Sequence, residues 1–237
     1  HGGMPLRDVS LAVRQGEILG VAGVSGNGQR ALADVVSGVL APREGTIEIA
    51  GARVTRFTPG EVQALGLGRI PEDRMTTGLV TSLPLADSFV LPRIGAGRFS
   101  RSGFLKPGAI RAFAEEQIEA YDIRCPGPMT RASALSGGNL QKVLLARELA
   151  FDPEVLIAAQ PTRGLDIGAA RFVHEKFLAL RANRCGILLI SEDLEELLTL
   201  SDRIAVMYEG RIVGTVDSST ATVARLGMMM TGAGGQA

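Results

Sequence analysis

One apolar run that breaks into closely spaced glycines limits the possible folds of this chain more than any other stretch. Glu17–Gly23 (EILGVAG) has the unbroken apolarity of a strand covered on both faces. It passes into Gly23-Val24-Ser25-Gly26-Asn27-Gly28-Gln29-Arg30-Ala31, and a helix is predicted from about Gln29 to Ser37. A strand, a glycine turn and a helix in that order are the context in which a glycine pattern points to phosphate binding. The glycines let successive backbone N–H groups curl around an anion, and the helix N-terminus adds positive potential. In the working pattern G-x-x-x-x-G-K-[ST], the Lys reaches the β/γ-phosphates and the Ser/Thr ligates Mg²⁺. Here the glycine frame stands, but Gln29 takes the Lys position and Arg30 the Ser/Thr position. On this loop alone, a plain structural junction between strand and helix stays open as the alternative.

The remaining pattern sets the loop in an α/β core. Strands are predicted at Val155–Ala159, Gly186–Ser191, Arg203–Met207 and Arg211–Val216, with helices at about Ile167–Arg181 and Leu194–Leu200 between them. Alternation of apolar runs with helical patterns argues for a mainly parallel sheet covered by helices. Glu209-Gly210 has hairpin-turn chemistry, and Gly45–Ile49 reads as a short antiparallel section. From about Met75 to Pro153 the rhythm changes to helices. Pro107 can open one whose apolar face is Ile110, Phe113, Ala114, Ile118 and Tyr121. A second is predicted after Ser136-Gly137-Gly138, carrying Leu140, Val143, Leu144 and Leu149 and ending before Asp152-Pro153. The expected organisation is therefore a core of residues 1–74 and 154–218, a helical insertion at 75–153 and a tail at 219–237.

Composition narrows the function classes. Of 237 residues, 25 are Lys or Arg and 25 are Asp or Glu, so formal charge is zero and nothing draws the chain to nucleic acid. Eight Phe, two Tyr and no Trp offer little with which to stack bases. An apolar share of 46% fits a packed globular protein rather than a disordered one. No apolar run has membrane-spanning length. Cys125 and Cys185 read as two buried thiols in a reducing, cytosolic compartment rather than a disulfide or metal site. His1 reads as a tag scar on an excised piece of a larger protein, with no signal peptide. Arg93, Arg98, Arg101 and Lys106 form a basic segment without acidic residues, expected to be a solvated loop. His174 is expected to be a partly exposed surface residue without a role. The glycine-rich end, Thr231–Ala237, is expected to fray.

Four further motifs follow the loop in order. Leu135-Ser136-Gly137-Gly138-Asn139-Leu140-Gln141 resembles the L-S-G-G-Q signature of ABC transporter ATPases. Val155–Ala159 with Gln160-Pro161-Thr162-Arg163-Gly164-Leu165-Asp166 resembles their Walker B strand and D-loop. Ser191-Glu192-Asp193 resembles the switch segment that normally carries a His, and Glu72 falls where the Q-loop Gln is expected. The strings PEDR (Pro71–Arg74), LSGGNLQK, AAQPTRGLD and SEDLEE are similar to the second, degenerate ATPase half of importers for simple sugars and nucleosides. Tyr208–Gly214 and Leu226–Gly232 look closer to the nucleoside branch. The resemblance spans about residues 7–215 and implies a P-loop ABC-type core with an inserted helical subdomain.

What the resemblance implies about chemistry is asymmetric. In the family, Walker B ends in an Asp that holds Mg²⁺ water and a Glu that activates the attacking water. Those positions are Ala159 and Gln160, neither of which can do that work. Glu192 at the switch would repel a phosphate. Losing a charge-assisted contact such as the Lys costs about 1.5–3 kcal/mol of binding. Losing the base removes roughly 10²–10⁴ in rate, and losing the metal several kcal/mol more of barrier lowering. Hydrolysis is expected to fail before binding does.

The implied cofactor is ATP, held weakly or without Mg²⁺ by Gly23, Ser25, Gly26, Asn27, Gly28, Gln29, Arg30, Ala31 and Glu72. Arg30 either replaces the missing cations or points into solvent. No metal site is expected in this chain; Mg²⁺ belongs only to the partner half's site. The signature Leu135, Ser136, Gly137, Gly138, Asn139 and Gln141, with the D-loop Gly164, Leu165 and Asp166, would serve that partner's ATP. A bland alternative makes Ser136 an ordinary helix cap.

Implied partners are the first nucleotide-binding half of the same polypeptide and membrane-spanning permease subunits, with a solute-binding protein reached indirectly. Nucleic acid is not among them. The expected place is the cytoplasmic face of the plasma membrane. A groove near Glu72–Leu91 would receive a permease helix, with Leu79, Val80, Leu83 and Leu85 available for docking or equally for the core. Two other functions stay open: a non-catalytic regulatory module binding nucleotide or protein, and a soluble ABC protein acting on ribosomes or DNA. No Tyr or Phe precedes Phe57, so an adenine-stacking aromatic ahead of the loop is either cut off or absent.

Overall fold

The computed structural model describes residues 4–233. In chain order the elements are β1 (Ile18–Ala22), α1 (Gln29–Val36), β2 (Glu48–Ile49), β3 (Ala52–Arg53), α2 (Pro59–Ala64), β4 (Leu67–Ile70), α3 (Leu85–Val90), β5 (Ser100–Arg101), β6 (Phe104–Leu105) and α4 (Pro107–Ala120). They continue with α5 (Gly137–Leu149), β7 (Val155–Ala159), α6 (Ile167–Ala182), β8 (Gly186–Ile190), α7 (Leu194–Leu200), β9 (Arg203–Tyr208), β10 (Arg211–Asp217) and α8 (Val223–Met230). The described residues fold as two compact units, one of 4–69 with 153–161 and 174–233, the other of 70–152 with 162–173.

The first unit is built on a six-stranded sheet of order β10-β9-β1-β8-β7-β4. β1 pairs in parallel with β8 and β9, and β7 with β8. Every residue of β1 and β8 is buried, which is why both read as continuous apolar runs. Leu19, Val21, Leu32, Ile157, Leu188 and Met207 share one core. Because β1, β7 and β8 run in the same direction, the chain leaves all three at one edge of the sheet, where parallel α/β sheets place ligands. β10 is antiparallel to β9 and joined to it by Glu209-Gly210, with φ of 46° and 77°, the left-handed pair a two-residue hairpin requires.

The second unit packs α3, α4 and α5 around Leu85, Phe89, Phe99, Phe113, Val143 and Leu144. Phe99 and Phe113 lie 5.1 Å apart between ring centroids, and both reach Phe151. Aromatic contacts of this kind add about 0.5–1.5 kcal/mol each beyond area burial.

The antiparallel section expected at Gly45–Ile49 is present as the short hairpin β2–β3, turned by Ala50 and Gly51, both left-handed. Other expectations need correction. α2, β4 and α3 lack a legible period: α3 is buried at five of six positions, so no polar face marks it. α5 starts at Gly137, not after Gly138, and a Cβ on Gly138 would lie 3.3 Å from that of Ala169, a close contact.

The basic segment is more than a solvated loop. It holds the hairpin β5–β6, Arg93 lies over the Phe151 ring at 4.8 Å, and Arg98 lies over Phe113 at 4.6 Å while pairing with Glu116. The guanidinium planes are drawn to the ring faces, and the acidic partner comes from α4 rather than from the segment itself. Leu79 and Leu85 are core, whereas Val80 is exposed. Cys185 is buried, but Cys125 is only half-buried. His174 is held against the buried Glu196 carboxylate at 3.0 Å. Thr231, Gly232 and Ala233 remain hydrogen-bonded to the carbonyls of Met228 and Met229; of the frayed end that was expected, 234–237 lie outside the described residues, as does His1.

Candidate nucleotide site

Gly26 and Gly28 take φ of 89° and 111°, a left-handed backbone that β-bearing residues resist, and α1 begins at Gln29 with Gly28 as its N-cap. Asn27 fixes the loop from the side. Its side-chain oxygen accepts from Glu209 N–H at 2.9 Å, its carbonyl accepts from Gly210 N–H, and its Nδ2 donates to the Val24 carbonyl. The phosphate loop is thereby tied to the β9–β10 turn.

Gln29, at the Lys position, folds back and donates from Nε2 to the Val24 carbonyl at 3.0 Å. It lies so close to Gly23 that a Cβ there would stand 2.4 Å from Nε2. Arg30 resolves to its solvent alternative: its side chain is 85% exposed and reaches only the Asp34 carboxylate, at 3.9 Å. Asp34 is engaged more closely by Arg69, at 2.6 Å. Ser25 is exposed and Ala31 half-buried on the first turn. The loop can cradle an anion with its amides but presents it with no seated cation.

At the ends of β7 and β8, Gln160 has φ 48° and donates its N–H to the Ile190 carbonyl. Its side-chain oxygen accepts from Glu192 N–H at 3.3 Å. Ala159 offers no oxygen, Arg30 is a cation, and Glu192 is exposed. Among the described residues no group of three or more His, Cys, Asp or Glu is disposed to hold a metal. A Mg²⁺ ion needs a near-octahedral set of oxygens. The residues present in the first unit do not fit one.

The second unit carries the signature and D-loop residues and brings them together. Ser136 is the N-cap residue of α5 but its side chain caps no helix amide; its Oγ accepts from Asn139 Nδ2 at 3.1 Å, and Asn139 Oδ1 accepts from Arg124 N–H at 2.9 Å. Asn139, standing where the signature pattern has Gln, therefore orients the serine hydroxyl. Ser136 and Gly137 are exposed; Leu135, Gly138 and Asn139 are partly so. Gln141 needs correction: it is 1% exposed, turned into the unit by the helical repeat, and unable to meet a ligand at the surface. Gly164 takes φ 68° in the turn closed by Leu165 N–H to the Thr162 carbonyl. Asp166 caps α6, Oδ1 accepting from Ala169 N–H at 2.8 Å.

Glu72 is ion-paired with Arg163, and the Arg74 guanidinium donates to the carbonyls of Arg163 and Gly137. No sequence signal marks the meeting of Arg74 and Arg163: 89 residues separate them and no periodicity links such distant positions.

A glycine loop between parallel strand and helix, with a separate helical unit headed by Ser136-Gly137-Gly138-Asn139, defines an ATP-binding cassette. The family model described as ABC transporter matches residues 6–163, and the chain belongs to that family. It is 44% identical over 227 residues to the guanosine import ATP-binding protein NupO of Bacillus subtilis, covering 96% of this chain and 44% of that protein. It is 39% identical to the nucleoside import ATP-binding protein NupA of Lactococcus lactis, over 98% of this chain and 46% of NupA. The glucose import ATP-binding protein TsgD13 of Haloferax volcanii is 42% identical over 97% of this chain and 42% of its own length. The chain thus spans less than half the length of these relatives.

Among solved structures, an ATP-binding subunit of an ABC transporter superposes with TM-score 0.77 at 23% identity, covering 95% of this chain and 92% of that one. The dimeric, post-hydrolysis cassette MJ0796 bound to ADP and Pi gives 0.76 at 22%, covering 90% of each chain. Both share the mainly parallel P-loop fold with its helical insertion.

Proposed function

We propose that this chain is the second nucleotide-binding half of the ATPase subunit of an importer for simple sugars or nucleosides. Its own phosphate loop is degenerate, and its signature segment completes the ATP site of the first half. The import names of NupO, NupA and TsgD13 support the substrate class. That the chain matches less than half of each supports the reading as one half of a longer polypeptide. The first half and membrane-spanning permease subunits are its partners, at the cytoplasmic face of the plasma membrane. Among the described residues no helix is long and apolar enough to cross a membrane.

The observation that carries the reading is the contrast between the two halves of the chemistry. Gln160 spends its side-chain oxygen on Glu192 N–H and lacks a carboxylate to take a proton, while Ser136 presents an oriented, exposed hydroxyl at the start of α5. Ser136, Gly137 and Gly138 would hold the partner's triphosphate through the hydroxyl and the first free amides of the helix. Bound there, Mg²⁺ would supply charge neutralisation from the partner's side. This chain's residues would contribute orientation and amide donors, part of the positioning and electrostatic stabilisation on which phosphoryl transfer depends.

The test is Ser136→Arg in the full-length subunit with its permease. Placing a bulky cation at the serine is expected to abolish ATP hydrolysis, and unchanged turnover would refute the composite site. An upstream half lacking its own Lys and Asp-Glu pair would favour a purely regulatory module.

A further inference from the structure

Within the second unit, three segments far apart in sequence meet at one guanidinium. Arg74 donates to the carbonyl of Arg163, just before the D-loop, and from Nη1 to the carbonyl of Gly137 in the first turn of α5 at 3.4 Å. Arg163 in turn pairs with Glu72, two residues before Arg74. A Cβ on Gly137 would stand 3.8 Å from Nη1, and one on Gly164 3.9 Å from Nη2, so both glycines line the same guanidinium.

Arg74 itself is not free to swing. It begins a π-helical turn, Arg74–Gly78, whose N-cap Asp73 accepts from Met75 N–H at 2.9 Å and Thr76 N–H at 3.0 Å. The other end of that turn is pinned to α5: Arg147 donates to the Gly78 carbonyl at 2.7 Å, and Gly78 abuts Leu144, whose methyls would lie 3.1 Å from an added Cβ.

Stability does not account for the Glu72–Arg163 pair. The Glu72 and Arg163 side chains are 44% and 60% exposed, and a surface ion pair contributes only about 0–1 kcal/mol. A planar fork that bridges two carbonyls instead fixes geometry, which a lysine cannot do from a single point. We propose that Arg74 is a positioning residue that locks the start of the signature helix to the D-loop turn, with the Glu72–Arg163 pair adding the Pro71–Arg74 segment to the same rigid cluster. This rests on the composite-site reading above. Displacement of Glu72 would then be transmitted to Ser136 through Arg163 and Arg74. A misplacement of about 1 Å can cost ~10² in rate, so a clamp outside the chemistry can govern turnover.

The experiment is steady-state ATP hydrolysis by the full-length subunit with its permease, for Arg74→Ala, Arg74→Lys, Glu72→Arg, Arg163→Glu and the double exchange Glu72→Arg/Arg163→Glu, with Ser136→Arg alongside. Arg74→Ala is expected to lower kcat by about 10- to 100-fold with the KM for ATP changed less than about twofold. Arg74→Lys should fall between, and the double exchange should recover most of what each single charge change loses. Thermal midpoints report folding separately. Unchanged kcat in Arg74→Ala, or losses that simply add in the double exchange, would overturn the clamp provided Ser136→Arg abolishes turnover. Full turnover in Ser136→Arg overturns the composite site instead.

Discussion

The side-chain oxygen of Gln160 accepts a hydrogen bond from the backbone N–H of Glu192 at 3.3 Å, linking the positions where a hydrolytic cassette keeps its base and its phosphate-contacting residue. A neutral carboxamide is too weak a base to take a proton from water. The isolated chain is therefore expected to release no phosphate from ATP above the uncatalysed rate. Gln160→Glu alone should not create turnover, because Ala159 and Arg30 still provide no metal ligand and Gln29 no cation. A phosphate-release assay with and without Mg²⁺ checks this; Mg²⁺-dependent turnover that disappears in Gln160→Ala would refute it.

Gln29 and Arg30 can be tested separately for a part in nucleotide binding. Arg30 stands in solvent beside Asp34, so Arg30→Ala should leave ATP affinity and thermal stability nearly unchanged. Gln29→Lys restores a charged donor where a carboxamide now folds onto Val24, and one charge-assisted contact contributes about 1.5–3 kcal/mol, or roughly 10- to 100-fold in affinity. Titration calorimetry of each variant, with Mg²⁺ and with EDTA, reads both effects. Tight, EDTA-resistant ATP binding that is lost in Arg30→Ala would reinstate Arg30 as the substitute cation.

The parts of this molecule legible in its sequence are those governed by short-range pattern. β1, β7 and β8 announce themselves because burial on both faces leaves no polar residue in them, and the loop that follows β1 needs glycine where φ is positive. α3 and β4 went unseen for the opposite reason: six and four residues are too few to show a period, and tertiary packing alone makes them regular. The site divides in the same way. Substitutions at Gln29, Ala159 and Gln160 are visible at fixed spacing within a motif. The burial of Gln141 and the meeting of Arg74 with Gly137 and Arg163 depend on how a helix is rotated and which distant turns adjoin it, information that no local window contains.

The two thiols should differ in reactivity. Burial pushes the Cys185 thiol up to about 11, so almost no thiolate exists near neutral pH, and access is blocked as well. Cys125 is half-buried beside the Gly127 carbonyl. A chromogenic disulfide reagent under native conditions is expected to modify one thiol, lost in Cys125→Ser, with the second appearing only on unfolding. Two thiols reacting at the same native rate would contradict the packing around β8.

Acid stability should depend on Glu17. Burial alone would raise its carboxyl, but it is outweighed by the Arg203 guanidinium donating at 2.6 Å and Arg14 N–H at 2.7 Å, so the group lies below its ordinary 4.5. A carboxyl with a depressed folded-state pKa stabilises the fold above its unfolded value, and that stabilisation is lost as pH falls through the folded value. Wild-type stability should therefore decline below about pH 4.5. Glu17→Gln removes the charge while keeping the shape, and should cost about 1.5–3 kcal/mol at pH 7 with a shallower acid decline. Asp73, Asp122 and Asp217 are also depressed by hydrogen bonds, from Thr76, Lys142 and Ser219 respectively, but they face solvent and are screened. Denaturant midpoints at pH 7 and pH 3.5 for both proteins separate these contributions. An acid decline as steep in Glu17→Gln as in wild type would assign it to those exposed carboxylates instead.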